Sequence, residues 1–431
     1  MKFFNRMKII RSLSFIAAIM VSALLLTENC NAQKKTKVVG ATIKCEKSAY
    51  LSHATPESMG MDFTRLSKVD GVIESFIAKK DFPGAVLAVV RENKIVYLKA
   101  YGNKWVYPKT EPMTTDAVFD MASCSKVMGT TMCIMQLFER GEIRLTDNVE
   151  MYIPGFKPYV DTATGEKVNI RIVDLLTHSS GLPPYVNPSV IINKYGNSDP
   201  ASLMDWIANC KRDFRPTTDF QYSCLNFITL QNILQNITGE KLCDFAQKNL
   251  FDRLGMEHTT YSPKAQNKTE IMKFVCPTEK QPDGSVLFGE VHDPLARVIN
   301  KGNSGNAGVF SSAEDIAILA AALMNDGEIN GRRVLGKETV KFMTTVPVET
   351  EKLGRSLGWD NYSPYASNKG NIFDRTRAYG HTGYTGTSIV IDPVTKTAVI
   401  LLTNRVHPND SGSGIRARAL VANVVAGSII K

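Results

Sequence analysis

Short apolar runs typical of strands lie near both ends of the chain, whereas helical periodicity dominates its middle. Helical spacing of apolar positions predicts a helix around Ser67–Ile77. Two apolar runs, Gly84–Val90 and Ile95–Leu98, are separated by a short polar stretch and predict a β-hairpin. A further helix is predicted over Ser123–Arg140, ending where Gly141 can supply a left-handed C-terminal cap.

The second half of the chain moves from helices back to strands. Its predicted helices and strands are, in chain order, helices Ile172–Leu176, Leu203–Cys210, Phe227–Thr238, Lys241–Leu250 and Ser312–Asn325, strands Thr387–Ile391 and Ala398–Thr403, and helix Ile415–Ile429. We therefore expect an α/β (α+β) fold. One antiparallel sheet is built from both chain ends and flanked by helices, with an inserted, mostly helical domain.

The first 32 residues have the composition of a secretory signal peptide. Four basic residues precede an apolar run from Leu13 to Leu26, which is short for a membrane span. Cys30-Asn31-Ala32 then places small residues at the −3 and −1 positions of a cleavage site. A lipidated Cys30 is the alternative, but Glu28-Asn29 fits a lipobox poorly. We expect residues 1–32 to be cleaved, residues 33–55 to form a linker, and the protein to be exported to the periplasm.

Composition and charge disfavour several classes of function. Hydrophobic residues make up 43% of the chain and charged residues 22%, which is typical of a globular protein. The net charge of +9 is spread without the basic runs and interleaved aromatics that bind nucleic acid. No Cys/His cluster has metal-ligand spacing, and the eight cysteines form no C-x-x-C pair. We therefore expect no nucleic-acid partner, no metal and no cofactor.

Ser123 is the candidate nucleophile that remains after other motifs are eliminated. The chain has no G-x-S-x-G elbow, no H-E-x-x-H and no phosphate-binding G-x-x-x-x-G-K-[ST]. In Ser123-Cys124-Ser125-Lys126, a helix would place the serine and the lysine one turn apart, so that the amine could reach the hydroxyl. Amides at the start of that helix would favour developing negative charge. The motif alone is weak, since Ser428–Lys431 matches it too.

Two later segments give this motif a context. Tyr222-Ser223-Cys224 precedes a predicted helix, and Gly380-His381-Thr382-Gly383 opens the first late strand. This order of parts resembles the serine β-lactamase and penicillin-binding-protein superfamily, whose elements are S-x-x-K, Y-x-N and K-[TS]-G. The resemblance runs from about Thr55 to the end and includes Leu175–Pro183 and Gly308–Asp315. It points to a β-lactamase-related serine hydrolase of the class C, DD-peptidase or esterase-like branch.

The resemblance implies a catalytic role for each matching residue. Ser123 would be the acylated nucleophile, and Lys126 would tune its environment. Tyr222 would be the general base, as in class C enzymes and DD-peptidases. The backbone N–H groups of Ser123 and Tyr384 would form the oxyanion hole.

Substrate binding would involve His381, Thr382 and Gly383 on the late strand, together with Cys224. Two of these residues depart from the family's pattern. Cys224 stands where Y-x-N has its asparagine, so that a weakly bonding thiol replaces an amide. His381 replaces the lysine of K-T-G, and its charge can switch near neutral pH. Burial would lower the pKa of this histidine, whereas a bound substrate carboxylate would raise it.

The resemblance also implies a domain organisation and a substrate. One catalytic domain would cover residues 56–431, with its sheet part at about 56–122 and 300–431 and its helical part at about 123–299. The protein would form an acyl-enzyme at Ser123 and act on peptidoglycan-derived D-amino-acid peptides. A carboxylesterase and a class C type β-lactamase are alternatives. A non-catalytic protein that binds cell-wall fragments is the alternative of another class.

Overall fold

A computed structural model describes the chain from Tyr50 to Lys431. The expected signal peptide 1–32 and most of the expected linker 33–55 lie outside the described residues. The end of that linker pairs with the hairpin, because Ala54 N donates to Ile95 O at 3.0 Å and Ile95 N donates to Ser52 O at 3.1 Å. Among the described helices, none has both the length and the apolar character needed to cross a bilayer.

Strands from both ends of the described chain meet in one central sheet. The strands are, in chain order, β1 (Gly84–Arg91), β2 (Lys94–Trp105), β3 (Glu111–Pro112), β4 (Val118–Asp120), β5 (Tyr159–Val160), β6 (Lys167–Val168), β7 (Thr260–Tyr261), β8 (Val309–Ser312), β9 (Glu328–Ile329), β10 (Arg332–Arg333), β11 (Tyr379–Thr382), β12 (Ser388–Asp392) and β13 (Thr397–Thr403). Six of them form an antiparallel sheet in the order β11-β12-β13-β1-β2-β3. A smaller sheet has the order β4-β8-β7. The α/β fold with a sheet built from both chain ends is therefore confirmed.

Helices flank the central sheet and fill the middle of the chain. The α-helices are, in chain order, α1 (Phe63–Leu66), α2 (Lys68–Ala78), α3 (Met132–Glu139), α4 (Ile172–Leu176), α5 (Pro188–Tyr195), α6 (Pro200–Asn209), α7 (Cys224–Thr238), α8 (Leu242–Ala246), α9 (Asp252–Leu254), α10 (Thr269–Met272), α11 (Ala313–Met324), α12 (Lys337–Thr344) and α13 (Ile415–Gly427). The apolar pattern missed five of these helices, α1, α5, α9, α10 and α12. In α12 only Val340 and Met343 are buried, which is too short an apolar stripe to read from sequence.

β1 is buried along its whole length because helices cover both of its faces. Ala85 and Leu87 face a core shared with α2 and α13. Val86 and Ala88 face the opposite core, which includes α11 and the helical part of the chain. This two-sided burial explains the continuous apolar run of the strand, where a half-exposed strand would alternate.

The segment predicted as one helix over Ser123–Arg140 is irregular at its start. A 3-10 turn covers Ala122–Cys124, a π-helix covers Lys126–Thr131, and only then does α3 begin. Ala122 has a φ of 44°, a left-handed conformation that strains any residue with a Cβ. The buried Asp120 carboxylate holds this turn by accepting a 2.8 Å hydrogen bond from the Ala122 amide. The helix predicted from about Ser123 to Arg140 is therefore present, but its first two turns are 3-10 and π-helix and not regular α-helix.

The segment that contains His381 forms a strand of its own. β11 and β12 are an antiparallel pair with His381 opposite Ile389, and the turn between them contains Tyr384. The sequence had placed Gly380–Gly383 at the start of the strand Thr387–Ile391. As a result β11 lies at the edge of the central sheet, next to the turn that carries Ser123.

Candidate active site

The structure brings Ser123 and Lys126 into direct contact. Lys126 Nζ donates to Ser123 Oγ at 3.1 Å, to the Asn306 carbonyl oxygen at 2.8 Å and to Cys224 Sγ at 3.6 Å. The lysine side chain is fully buried, at 0% exposure. An ammonium group has three protons to donate, so each has an acceptor here. The lysine is thus fixed with one proton directed at the candidate nucleophile.

Aromatic rings complete the surroundings of the Lys126 ammonium. Its nitrogen lies 5.0 Å from the centre of the Tyr222 ring and 5.8 Å from that of Phe227. Desolvation lowers the pKa of Lys126. Cys224 and Tyr222 together raise this pKa by more than desolvation lowers it, so the net pKa lies above its ordinary value. Burial raises the pKa of both Tyr222 and Cys224. At neutral pH the site therefore holds an ammonium, a phenol and a thiol.

The hydroxyl of Tyr222 faces Ser123 and Lys126. Burial raises the pKa of Tyr222, and Lys126 and Ser123 lower it in part. Lys126 and Ser123 therefore both lie close to the phenol. The buried hydroxyl nevertheless makes no hydrogen bond of regular geometry with any described residue. It is held instead through its ring, which stacks on His178 with a centroid distance of 4.4 Å. The phenol oxygen is therefore positioned but free to bond a reacting group.

His178 holds the segment that carries Tyr222. It is fully buried, and its Nδ1 accepts from the Ser223 amide at 3.1 Å. Burial, and then the charges of Arg355 and Lys126, depress the pKa of His178 well below its ordinary value. The ring is therefore neutral at neutral pH and serves as an acceptor. Helix α7 begins two residues after Tyr222, with Ser223 as its N-terminal cap.

The turn after β11 is bonded to the turn that carries Ser123. Thr385 Oγ1 donates to the Asp120 carbonyl oxygen at 2.7 Å, and Thr387 Oγ1 donates to that of Met121 at 3.0 Å. A Cβ on Gly383 would lie 2.5 Å from the Met121 carbonyl oxygen, a distance that real Cβ atoms do not reach. Gly383 is thus needed for the close approach of the two turns, and Tyr384, the next residue, lines the same cleft as Ser123.

His381 is buried beside the cleft and is neutral. Its Nδ1 lies 2.9 Å from the Thr382 carbonyl oxygen, which can only accept, so Nδ1 carries the proton and Nε2 a lone pair. Nε2 is buried and has no partner among the described residues. Desolvation, followed by the charges of Arg355 and Lys126, lowers the pKa of His381 well below its ordinary value. Of the two opposing effects expected at this position, burial therefore prevails.

A cleft of about 470 Å³ opens over Ser123. The sequence did not predict the cationic wall of this cleft, since arginines distant in sequence carry no motif. Arg355 is paired with Asp360 at 3.3 Å and Arg405 with Asp410 at 2.8 Å, whereas Arg418 donates to the Gly383 carbonyl oxygen. The other lining residues are Tyr222, Tyr365, Asn368, His381, Thr382, Gly383, Tyr384, Gly412, Ser413, Gly414 and Ile415.

Within residues 50–431, no cluster of three or more His, Cys, Asp or Glu side chains could hold a metal ion. The described cysteines are free thiols. Cys224, the residue expected to bind substrate, contacts Lys126 and does not line the cleft surface. Beside it, the Asn306 side chain hydrogen-bonds the thiol and lowers its pKa in part. An asparagine therefore lies next to the position where Y-x-N would have one.

A sequence model of the Beta-lactamase family matches residues 69–423, which is most of the chain. The chain belongs to the beta-lactamase family. It is accordingly a serine hydrolase of the type expected from the motifs, and Ser123, Lys126, Tyr222 and His381 are gathered at one cleft.

Named relatives and solved structures agree with this membership. A putative D-alanyl-D-alanine carboxypeptidase of Escherichia coli (strain K12) is 30% identical, covering 86% of this chain and 89% of that protein. An N-acetylmuramyl-L-alanine amidase of Bacillus subtilis (strain 168) is 32% identical, covering 80% and 81%. The structure of EstCE1, a hydrolase with promiscuous acyltransferase activity, superposes with a TM-score of 0.65 at 21% identity over 84% of this chain and 99% of that one. The last match shows the shared fold.

Replacing Gly383 by alanine should reduce activity far more than stability. The added Cβ would collide with the Met121 carbonyl oxygen and force the β11 turn away from Ser123. A displacement near 1 Å can cost about 10²-fold in rate. Activity and thermal unfolding should be measured beside Gly71→Ala, a helix position where a Cβ meets nothing within 4 Å. Equal activity in the two variants would show that the close approach is not needed.

The depressed pKa of His381 predicts a loss of stability in acid. As pH falls below about 6.5, the unfolded chain gains a proton on this histidine while the folded protein does not, so unfolding becomes more favourable. The effect is roughly 1.4 kcal/mol per pH unit for one such group. In urea unfolding at pH 7 and pH 5, His381→Asn should lose less stability than the wild type. An equal loss would mean that His381 is protonated in the folded state.

Proposed function

We propose that the protein is an exported serine hydrolase that forms an acyl-enzyme at Ser123 and acts on peptidoglycan-derived D-amino-acid peptides. The observation that carries the proposal is the 3.1 Å contact between Ser123 Oγ and the buried Lys126 ammonium at the cleft. Export rests on the signal-like residues 1–32 of the sequence.

In acylation, Ser123 Oγ attacks the substrate carbonyl carbon while its proton passes to the Tyr222 phenol oxygen, which releases its own proton to the substrate nitrogen that leaves. The Lys126 ammonium, bonded to Ser123 Oγ, stabilises the negative charge that develops on the serine oxygen. The backbone amides of Ser123 and Tyr384 bind the oxygen that gains negative charge. The C–N bond then breaks, the protonated amine departs, and Tyr222 is again a neutral phenol. Water repeats the sequence on the ester to release the acid and regenerate Ser123.

Two observations support a peptide substrate: the names of two relatives and the charge of the cleft. Two relatives that cover most of the chain carry names that denote hydrolysis of wall-peptide amides. Three arginines, Arg355, Arg405 and Arg418, and one carboxylate, Asp360, line the cleft, and this excess of positive charge attracts an anionic substrate without requiring direct contact with each arginine. The chain belongs to a family of serine hydrolases, and this membership argues against a non-catalytic binding protein.

A carboxylesterase is the second candidate. Neutral His381 supplies no cation where K-T-G has its lysine, and this observation favours substrates without a carboxylate. A class C type β-lactamase uses the same acyl-enzyme chemistry and would differ in turnover of a β-lactam. Turnover of a D-alanyl-D-alanine peptide, a p-nitrophenyl ester and nitrocefin therefore ranks the three candidates directly.

Ser123→Ala should abolish covalent labelling by a fluorescent penicillin and by a fluorophosphonate. It should also reduce turnover by at least about 10³-fold, because the acceptor of the acyl group is lost. Ser428→Ala is the matched control, since Ser428 is the serine of the other S-x-x-K match and its hydroxyl bonds only the local Val425 carbonyl oxygen. Labelling that persists in Ser123→Ala would place the nucleophile elsewhere.

Tyr222→Phe should separate catalysis from folding. The ring that stacks on His178 is kept, and the lost hydroxyl has no regular hydrogen bond to give up. Stability in urea should therefore be unchanged or slightly higher, whereas kcat should fall by about 10²–10⁴-fold. A kcat close to that of the wild type would remove Tyr222 from the role of general base.

A further inference from the structure

One peptide group links a buried arginine to the candidate oxyanion hole. Its carbonyl belongs to Gly383 and accepts a 2.8 Å hydrogen bond from Arg418 Nη2. Its N–H belongs to Tyr384 and is the proposed oxyanion donor. We propose that Arg418 is a positioning residue that polarises this peptide and thereby strengthens the Tyr384 amide as a donor. The inference rests on the proposed acyl-enzyme function.

Arg418 carries a charge that no carboxylate offsets. Its side chain lies on α13 and is only 7% exposed. The described groups that shift the pKa of Arg418 are Arg405, which is cationic, and Cys124, a buried thiol that is neutral at neutral pH, and no carboxylate is among them. Burial lowers the pKa of Arg418 to about 10, so the side chain is still cationic at neutral pH. Such a charge destabilises the fold, which makes a purely structural reason for it weak.

A cation bonded to a carbonyl oxygen withdraws electrons through the peptide and makes its N–H a stronger donor. In hydrogen-bonded chains this strengthening is roughly 10–30% per bond. The effect helps only if the peptide cannot turn. Here the Gly383 amide donates to the Thr387 carbonyl oxygen at 2.8 Å, and Thr385 and Thr387 bond the Ser123 turn. The polarised N–H is therefore fixed relative to Ser123.

Arg405 hydrogen-bonds the next peptide group along the chain and, unlike Arg418, forms an ion pair with a carboxylate. Its Nε donates to the Tyr384 carbonyl oxygen at 2.7 Å, and the N–H of that peptide belongs to Thr385. Arg405 is also paired with Asp410. Polarisation by Arg405 thus does not reach the Tyr384 amide, and its charge is compensated. Arg418 is the arginine placed to act on the oxyanion donor.

The test compares Arg418→Gln and Arg418→Met with Arg416→Gln. Arg416 is exposed on the same helix, so its variant makes the same change in net charge away from the cleft. Replacing a buried charge by an apolar chain of similar length commonly preserves or raises stability, so Arg418→Met keeps the test valid if the glutamine variant fails to fold. Arg418→Lys restores the charge and serves as the rescue.

The readouts are steady-state hydrolysis of p-nitrophenyl acetate and inhibition by phenylboronic acid, which forms a tetrahedral anionic adduct on serine. Loss of a whole oxyanion donor costs about 10²–10³-fold in kcat, so a donor weakened by roughly 10–30% should cost about two- to eightfold. In Arg418→Gln and Arg418→Met we expect kcat to fall by about two- to eightfold with KM close to that of the wild type, and the boronate inhibition constant to rise by the same factor as kcat falls. Arg418→Lys should recover part of the lost kcat and part of the lost affinity for the boronic acid. Arg416→Gln should match the wild type in both measurements.

Three results would overturn the inference. Unchanged kcat and boronate affinity in the Arg418 variants would show that the peptide needs no polarisation. A loss confined to a D-alanyl-D-alanine peptide, with p-nitrophenyl acetate unaffected, would mean that Arg418 contacts the substrate carboxylate directly. A wild type that is neither active on any substrate nor inhibited by the boronic acid would overturn the proposed function, and this inference with it.

Discussion

The buried ammonium of Lys126 is the constraint on which the site depends. A fully buried cation is costly unless hydrogen bonds replace its water. Here the three acceptors come from three parts of the chain: the Ser123 turn, the start of α7 at Cys224 and the loop at Asn306. Satisfying one ammonium therefore fixes the sheet part and the helical part of the fold against each other at the cleft.

The excess of positive charge around Lys126 decides the protonation state of two nearby histidines. Lys126 and Arg355 both act on His178 and His381, and with burial they keep the two imidazoles neutral. Each neutral ring then works as an acceptor or a packing surface. His178 bonds the Ser223 amide and stacks under Tyr222, whereas His381 keeps an unpartnered Nε2 beside the cleft.

Backbone strain and close approach supply the geometry of the candidate nucleophile. The left-handed Ala122 turns the chain directly after β4, and Asp120 holds that turn through its amide. From the other side, Gly383 lets the β11 turn approach the Met121 carbonyl oxygen more closely than any Cβ would allow. The serine is thus held between two rigid turns and not at the start of a regular helix.

The sequence by itself predicted four strands of the central sheet, most of the helices, the family and the candidate residues Ser123, Lys126, Tyr222 and His381, because apolar periodicity and short motifs are local properties of the chain. It could not determine the irregular turn at Ser123, the neutral state of His381 or the contact of Cys224 with Lys126. The cationic wall of the cleft could not be predicted either, because its residues Arg355 and Arg418 come from distant segments of the chain. Strain, burial and charge depend on which remote groups pack together, and only the tertiary structure decides that.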